Sequence, residues 1–340
     1  MLESSSIRKI ARASALAALS LAPGAALAGY CSDTADLQEL SCEHEARDDY
    51  YKARAICLNI GDSSERAACD ADATDGRREA LLRCDEQSDA REDLCAMIGE
   101  ARYDPDFSPA NFQNPRQPTR TNAYFPLRVG NTKAFSDGTE TVDITVRNET
   151  KLIEGVQCIV VNDVVRDQGE LIEDTDDWFA LRSDGSIFYC GEEVKDFETF
   201  PGDSPPIPEL VDIGGSFKTG RDGDKPGILF PARPVVGQVY GQEWSASNAE
   251  DAAMVLTTTY RYGRDAVLDA LMPPALAQRF CSAGDCVVTA DFTPMEPGVV
   301  EHKYYARGVG RILETKPSTG KAVQLVGCNF DSRCAGLPQP

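Results

Sequence analysis

The chain of 340 residues has little of what most enzyme centres are built from. Its only histidines are His44 and His302, so a multi-histidine metal site would need a second chain. No Cys-x-x-Cys occurs, which removes thioredoxin-like redox centres, c-type haem attachment and zinc ribbons. No Gly-x-Ser-x-Gly and no His-Glu-x-x-His occurs, so two common hydrolase routes lack their central parts. Nothing after residue 28 is apolar enough to cross a bilayer. Between Ser32 and Glu100 there is no valine, phenylalanine or tryptophan. Twelve large apolar side chains in that stretch, among them Leu37, Leu40, Leu82 and Leu94, are too few to hold two long helices together by burial alone.

Residues 1–28 read as a secretory signal. Arg8, Lys9 and Arg12 form a positive start, Ala13 to Leu21 a short apolar core, and Ala26-Leu27-Ala28 a small-x-small site that predicts cleavage after Ala28. Tyr30 stands before Cys31, where a lipoprotein signal would place the cysteine directly. The expected destination is the periplasm or the exterior, with the mature chain soluble and no integral membrane segment. Loss of three basic residues and one acid, Glu3, takes the formal net charge from −21 to −23. Such a charge argues against nucleic acid and anionic lipid as partners, since both need basic surfaces.

All twelve cysteines follow the signal, an even count that in an exported chain reads as a disulfide framework. The first six are spaced 11, 15, 12, 15 and 11 residues apart, a palindrome about Ser63. Helical composition on both sides and a turn at Gly61-Asp62-Ser63 predict an α-hairpin over residues 29–103, laddered by Cys57–Cys69, Cys42–Cys84 and Cys31–Cys95. Six cysteines allow fifteen connectivities, and the nested one is favoured because a palindromic spacing is unlikely to arise by accident. Gly61 is expected as a C-cap, Ser63 or Ser64 as the next N-cap, and Gly76 as an interruption.

Residues 104–121 carry four prolines and no periodicity, and read as an extended tether. From residue 122 to 340 the pattern changes to strands. Val142, Ile144 and Val146 alternate with polar neighbours, Val156 to Val165 is apolar on both faces, and Asp137-Gly138, Gln168-Gly169 and Asp184-Gly185 mark turns. Later strands are expected near 211–218, 255–261, 286–292, 301–307, 310–315 and 322–326, with one short helix in 266–280 and a long Gly/Pro-rich loop over 220–235. Short connections imply an antiparallel meander. The fold class is therefore α+β: a disulfide-laddered helical hairpin, then an antiparallel curved sheet or half-open barrel. Cys158–Cys190 would clasp the sheet, Cys281–Cys286 close a small loop and Cys328–Cys334 staple the tail.

Three segments carry a family resemblance. These are Tyr124-Phe125-Pro126-Leu127 with Gly130-Asn131, then Glu154-Gly155-Val156, and most strongly Glu301 to Gly310. Over roughly residues 122–328 the chain resembles a family of exported bacterial β-rich proteins of unknown activity, labelled TapB-like. The resemblance implies a half-open barrel of the lipoprotein-carrier type and supplies no catalytic residues. The hairpin lies outside it.

The remaining constellations are weak. Gly202-Asp203-Ser204 resembles a lipase nucleophile block, but Val299 stands where the Asp-x-x-His partner of His302 belongs, and a turn is the better reading. Cys42-Glu43-His44-Glu45 offers no thiolate once Cys42 is bridged. The acidic run containing Asp174, Asp176 and Asp177, and the pair Asp222 and Asp224, are candidate calcium ligands without EF-hand order. Alternation near His302 places Glu301, Lys303 and Tyr305 on one face, His302 and Tyr304 on the other. The expected function is non-enzymatic binding of an apolar or envelope-derived ligand, or of a partner protein. The rivals are a hydrolase using carboxylates such as Glu296 or Glu301 near His302, and a calcium-dependent structural or adhesion protein.

Overall fold

The computed structural model describes residues 29–340, and the signal reading over 1–28 lies outside them. Helices α1 (Tyr30–Cys57) and α2 (Ser63–Ile98) form an antiparallel hairpin. Three disulfides join them as nested rungs, Cys31–Cys95, Cys42–Cys84 and Cys57–Cys69. The buried residues of the two helices are small, polar or cysteine, while Leu37 and Leu58 stay 68% and 70% exposed. Covalent rungs, more than apolar burial, therefore hold this element.

The turn differs in detail from the sequence expectation. Asp62, one residue before the expected serines, is the N-cap of α2, its Oδ1 accepting from the N–H groups of Ser64 at 2.8 Å and Glu65 at 3.0 Å. A carboxylate there also meets the positive end of the helix dipole. The C-cap of α1 is Leu58, ahead of Gly61. α2 runs unbroken through Gly76, because one internal glycine costs a helix only about 1 kcal/mol.

The β part contains β1 (Thr132–Ser136), β2 (Glu140–Ile153), β3 (Val156–Asp167), β4 (Glu170–Leu181), β5 (Ile187–Glu193), β6 (Asp196–Glu198), β7 (Glu209–Asp212), β8 (Phe217–Lys218), β9 (Lys225–Phe230), β10 (Val239–Gly241), β11 (Glu243–Trp244), β12 (Ala252–Tyr260), β13 (Cys286–Phe292), β14 (Val300–Ala306), β15 (Gly310–Lys316) and β16 (Lys321–Cys328). Every pairing is antiparallel. The order runs β10-β12-β13-β14-β15-β16-β1-β2-β3-β4-β5-β9-β11. Since β10 and β11 are two halves of one extended segment broken at Gln242, the sheet nearly closes on itself as a barrel. Gly227 on β9 makes this seam possible: a Cβ there would lie 2.2 Å from the Gln242 carbonyl carbon. The 220–235 region is thus no long loop. It contributes β9, whose Pro226 and Gly227 look like loop residues but face the seam.

Alternation sorts the apolar residues. Ile159, Val161, Phe179, Tyr189, Phe230 and Tyr305 pack inside the barrel. Their neighbours Val160, Trp178 and Phe188 face outward with the Cys158–Cys190 bridge. On that outer face lie Phe107 and Phe112, the latter edge-on to Phe188 at 5.3 Å, and Gln113 N–H donates to the Leu181 carbonyl at 2.9 Å. Residues 104–121 are therefore a strap on the sheet instead of a free tether. Tyr304 and Leu313 face α3 (Ala266–Asp269) and α4 (Pro274–Phe280), two short helices split at Pro273-Pro274. Bridges Cys281–Cys286 and Cys328–Cys334 fasten the adjoining turns.

Six disulfides and no free cysteine among the described residues belong to an oxidising compartment. None of the described helices is long and apolar enough to cross a membrane.

Candidate functional site

The barrel interior holds a cavity of about 280 Å³ that is partly open to solvent. Phe125, Pro126 and Leu127, from the segment before β1, form part of its lining beside Gly310. The Gly308 N–H donates to the Ala123 carbonyl at 2.7 Å, and Arg307 Nη2 lies 3.2 Å from the Tyr124 hydroxyl. Two of the three resemblance segments thus meet at this cavity.

Apolar side chains share the lining with an unusual number of charged ones. Strand order separates the charges into two arcs of the wall. Asp177 on β4, Glu192 on β5, Glu243 on β11 and Asp251 just before β12 make an acidic arc around the seam. Lys303 on β14, Arg311 on β15 and Lys133 on β1 make a basic arc on the other side. Asp163 on β3 pairs in register with Ile144, which pairs with Lys133.

Two of the cations are already engaged. Lys303 lies 3.2 Å from Asp291, and Arg311 lies 2.5 Å from Glu314. Among the described residues none of the four acids of the seam arc has a basic group within ion-pair distance. Burial pushes each carboxyl of this arc upward, and repulsion among the arc's acids adds to the rise at Asp177, Glu192 and Glu243, while Lys303 opposes it at Asp251. Asp177 and Glu243 rise well above the ordinary range, Glu192 rises to about 8, and Asp251 rises as well.

Hydrogen bonding requires the same protonation. The Tyr189 hydroxyl contacts both Asp177 Oδ1 and, at 2.8 Å, Glu192 Oε2. One phenolic hydrogen serves one acceptor, so the second contact needs a protonated carboxyl donating back. Glu243 is 7% exposed and its Oε2 has no partner among the described residues. On the basic arc burial lowers Lys133 to about 7, with help from Arg311, and Asp163 rises to about 7.

The residues singled out from sequence distribute differently. Asp174 and Asp176 accept from Asn162, and Asp176 also pairs with Arg147 at 3.1 Å. Of these three candidate ligands Asp177 alone lines the cavity. Asp224 accepts the Lys218 N–H at 3.1 Å and Asp222 sits 3.9 Å from Arg221. Among the described residues no group of three or more His, Cys, Asp and Glu side chains is arranged to hold a metal ion. Glu301 lies 3.5 Å from Lys316, and burial lowers His302. Lys303 and Tyr305 line the cavity, whereas Tyr304 packs on the opposite face. Glu192, Glu243, Asp251 and Asp291 were not legible as site residues. The signal that would have marked Glu192 and Asp291 is a charge in an otherwise apolar strand.

No family model, no curated protein and no solved structure matches the chain.

Proposed function

We propose that the protein is an exported, non-enzymatic binding protein whose barrel interior takes a small ligand bearing an ammonium or guanidinium group. The observation that carries this reading is the acidic arc: four cavity-lining carboxyls, Glu243 buried and the others half-buried, with no paired cation and an unpartnered Glu243 oxygen among the described residues. A cation entering there would let these groups ionise and form charge-assisted hydrogen bonds in a water-poor site. The rings of Phe179, Tyr189 and Tyr305 add faces for it. This lining favours a polar ligand over the apolar one expected from the half-barrel resemblance. Export by cleavage after Ala28, to the periplasm or beyond, and membership of the TapB-like group over residues 122–328 belong to the same proposal.

The volume sits near the lower end of ligand pockets, about 300–1,000 Å³, so the ligand is small. The test is calorimetry and thermal shift with 1,4-diaminobutane, arginine and agmatine, against succinate and 1,4-butanediol. The expected result is a raised melting midpoint with the cations alone, lost in an Asp177→Asn, Glu192→Gln variant that keeps the shape of the neutral acids. Binding near neutral pH should also release on the order of one proton, visible as a heat that changes with the buffer. Equal response to succinate, or no response to any cation, would sink the proposal.

A second reading draws on one specific observation. Asp177 and Glu192 bridged by Tyr189 share protons as an acid–base pair does, which is the form a carboxylate-dependent hydrolase would take here. A hydrolase screen in which the Glu192→Gln variant keeps full activity would discard it.

A further inference from the structure

A second cavity, of about 490 Å³, lies outside the barrel where the base of the hairpin meets the seam. Its chemistry differs from the interior. Leu37, Leu94, Ile98, Tyr103 and Trp244 supply apolar walls, and Leu37 and Ile98 leave carbon surface in water that an occupant would cover. Arg91, 4% exposed, lies among them. Its Nε donates to Glu250 Oε2 at 2.8 Å and its Nη2 to Glu250 Oε1 at 3.3 Å, while Nη1 has no partner among the described residues. A buried guanidinium N–H without an acceptor is a cost that a ligand can remove.

We propose that this cleft binds a small neutral amphipathic molecule: an aliphatic or aromatic body with a carbonyl acceptor, an amide or ester, at the end that meets Arg91. Neutrality follows from the charges around it. Glu250 compensates Arg91, Asp104 compensates Lys225, and Arg102 stands against Asp33 in the lining, so the cleft offers no net charge that would reward a charged ligand. An amine would also leave Nη1 without an acceptor. The cleft opens outside the barrel and shares only Glu243 and Asp251 with the interior lining, and its ligand carries no positive charge, so the two readings fail independently.

Trp244 supplies the readout. The chain has two tryptophans, and Trp178 lies on the outer sheet face, 4% exposed, so a Trp178→Phe variant reports on the cleft alone. It is titrated with 4-phenylbutanamide, 4-phenylbutyrate and 4-phenylbutylamine, and calorimetry on the wild-type chain repeats the titration without substitution. Arg91→Ala would strand the buried Glu250 and endanger the fold, so the blocking variant is Ala101→Phe, at an exposed cleft residue. The expected result is saturable binding of the amide, at least tenfold tighter than either charged probe, and weakened at least tenfold by Ala101→Phe. No saturable response, equal affinity for a charged probe, or binding indifferent to Ala101→Phe would each overturn the proposal.

Discussion

Glu192 shows what one inward-facing acid does to a barrel. Groups from several elements face it: Tyr189 on its own strand, Asp177, Glu173 and Asp163 on β3 and β4, and Asp251 across the seam. All are acidic or phenolic, and burial outweighs any relief, so its folded value of about 8 stands above an unfolded value near 4.5. Its stabilising share is therefore complete below about pH 4.5, shrinks as pH rises, and is gone once pH passes about 8. A Glu192→Gln variant keeps a neutral group of the same shape at every pH. Relative to wild type it should be near neutral in stability at pH 4.5 and more stable by about 1–3 kcal/mol at pH 8. Lys133 works in the opposite direction above its value of about 7, and this cancels in the difference between variant and wild type. Denaturant melts at both pH values check the prediction, and a pH-independent difference would refute it. At this scale the sequence was least readable. Asp177 stood out only as one acid in a run, and nothing local separates it from Asp176, which faces outward and pairs with Arg147. The direction a side chain points along a strand becomes functional only when the sheet curls, and curling is a property of distant pairings.

The hairpin was the most readable element, because its restraints are written into spacing. Steps of 11 and 15 residues approximate whole helical turns, so cysteines recur on one face and register needs no apolar core. The strands were readable where they alternate and obscure where they carry special backbone. β13 matches the expected span, while β9 was hidden by Pro226 and Gly227, residues chosen by the seam rather than by strand propensity. The strap was hidden for a related reason: prolines announce irregular backbone but do not say whether Phe107 and Phe112 find a surface. The hairpin's dependence on its rungs is testable. Removing the middle one with a Cys42→Ser, Cys84→Ser variant should cost about 2–3 kcal/mol, below the value for an isolated loop because the flanking bridges remain. Helical ellipticity should melt earlier while the near-ultraviolet signal of the barrel aromatics keeps its midpoint. Unchanged helical melting would mean that packing, not crosslinks, holds α1 to α2.

At the scale of the whole molecule the question is why a crosslinked hairpin and a nearly closed barrel form one body. Glu250, between the seam and β12, is the hub. It receives Arg91 and Gln38 from the two helices and the Ser247 N–H at 2.6 Å, and both Arg91 and Glu250 are only 4% exposed. Gln87 Nε2 donates to the Met295 carbonyl at 2.9 Å, and Lys225 pairs with Asp104 at 2.7 Å nearer solvent. The next residue, Asp251, turns inward to the acidic arc, so the docking contact and the cavity wall share one short stretch of chain. Burying two charges is costly, and their attraction repays it only while both are present. Arg91→Met should therefore lose about 3–5 kcal/mol by leaving Glu250 buried and unpaired, and Glu250→Gln should lose a similar amount. The double variant should recover part of that loss, with a coupling energy of about 2 kcal/mol or more. The surface pair Lys225–Asp104, treated the same way, should show a coupling below about 1 kcal/mol. A buried pair that coupled no more strongly than the exposed one would mean that shape complementarity around the cleft, and not Glu250, joins the two parts.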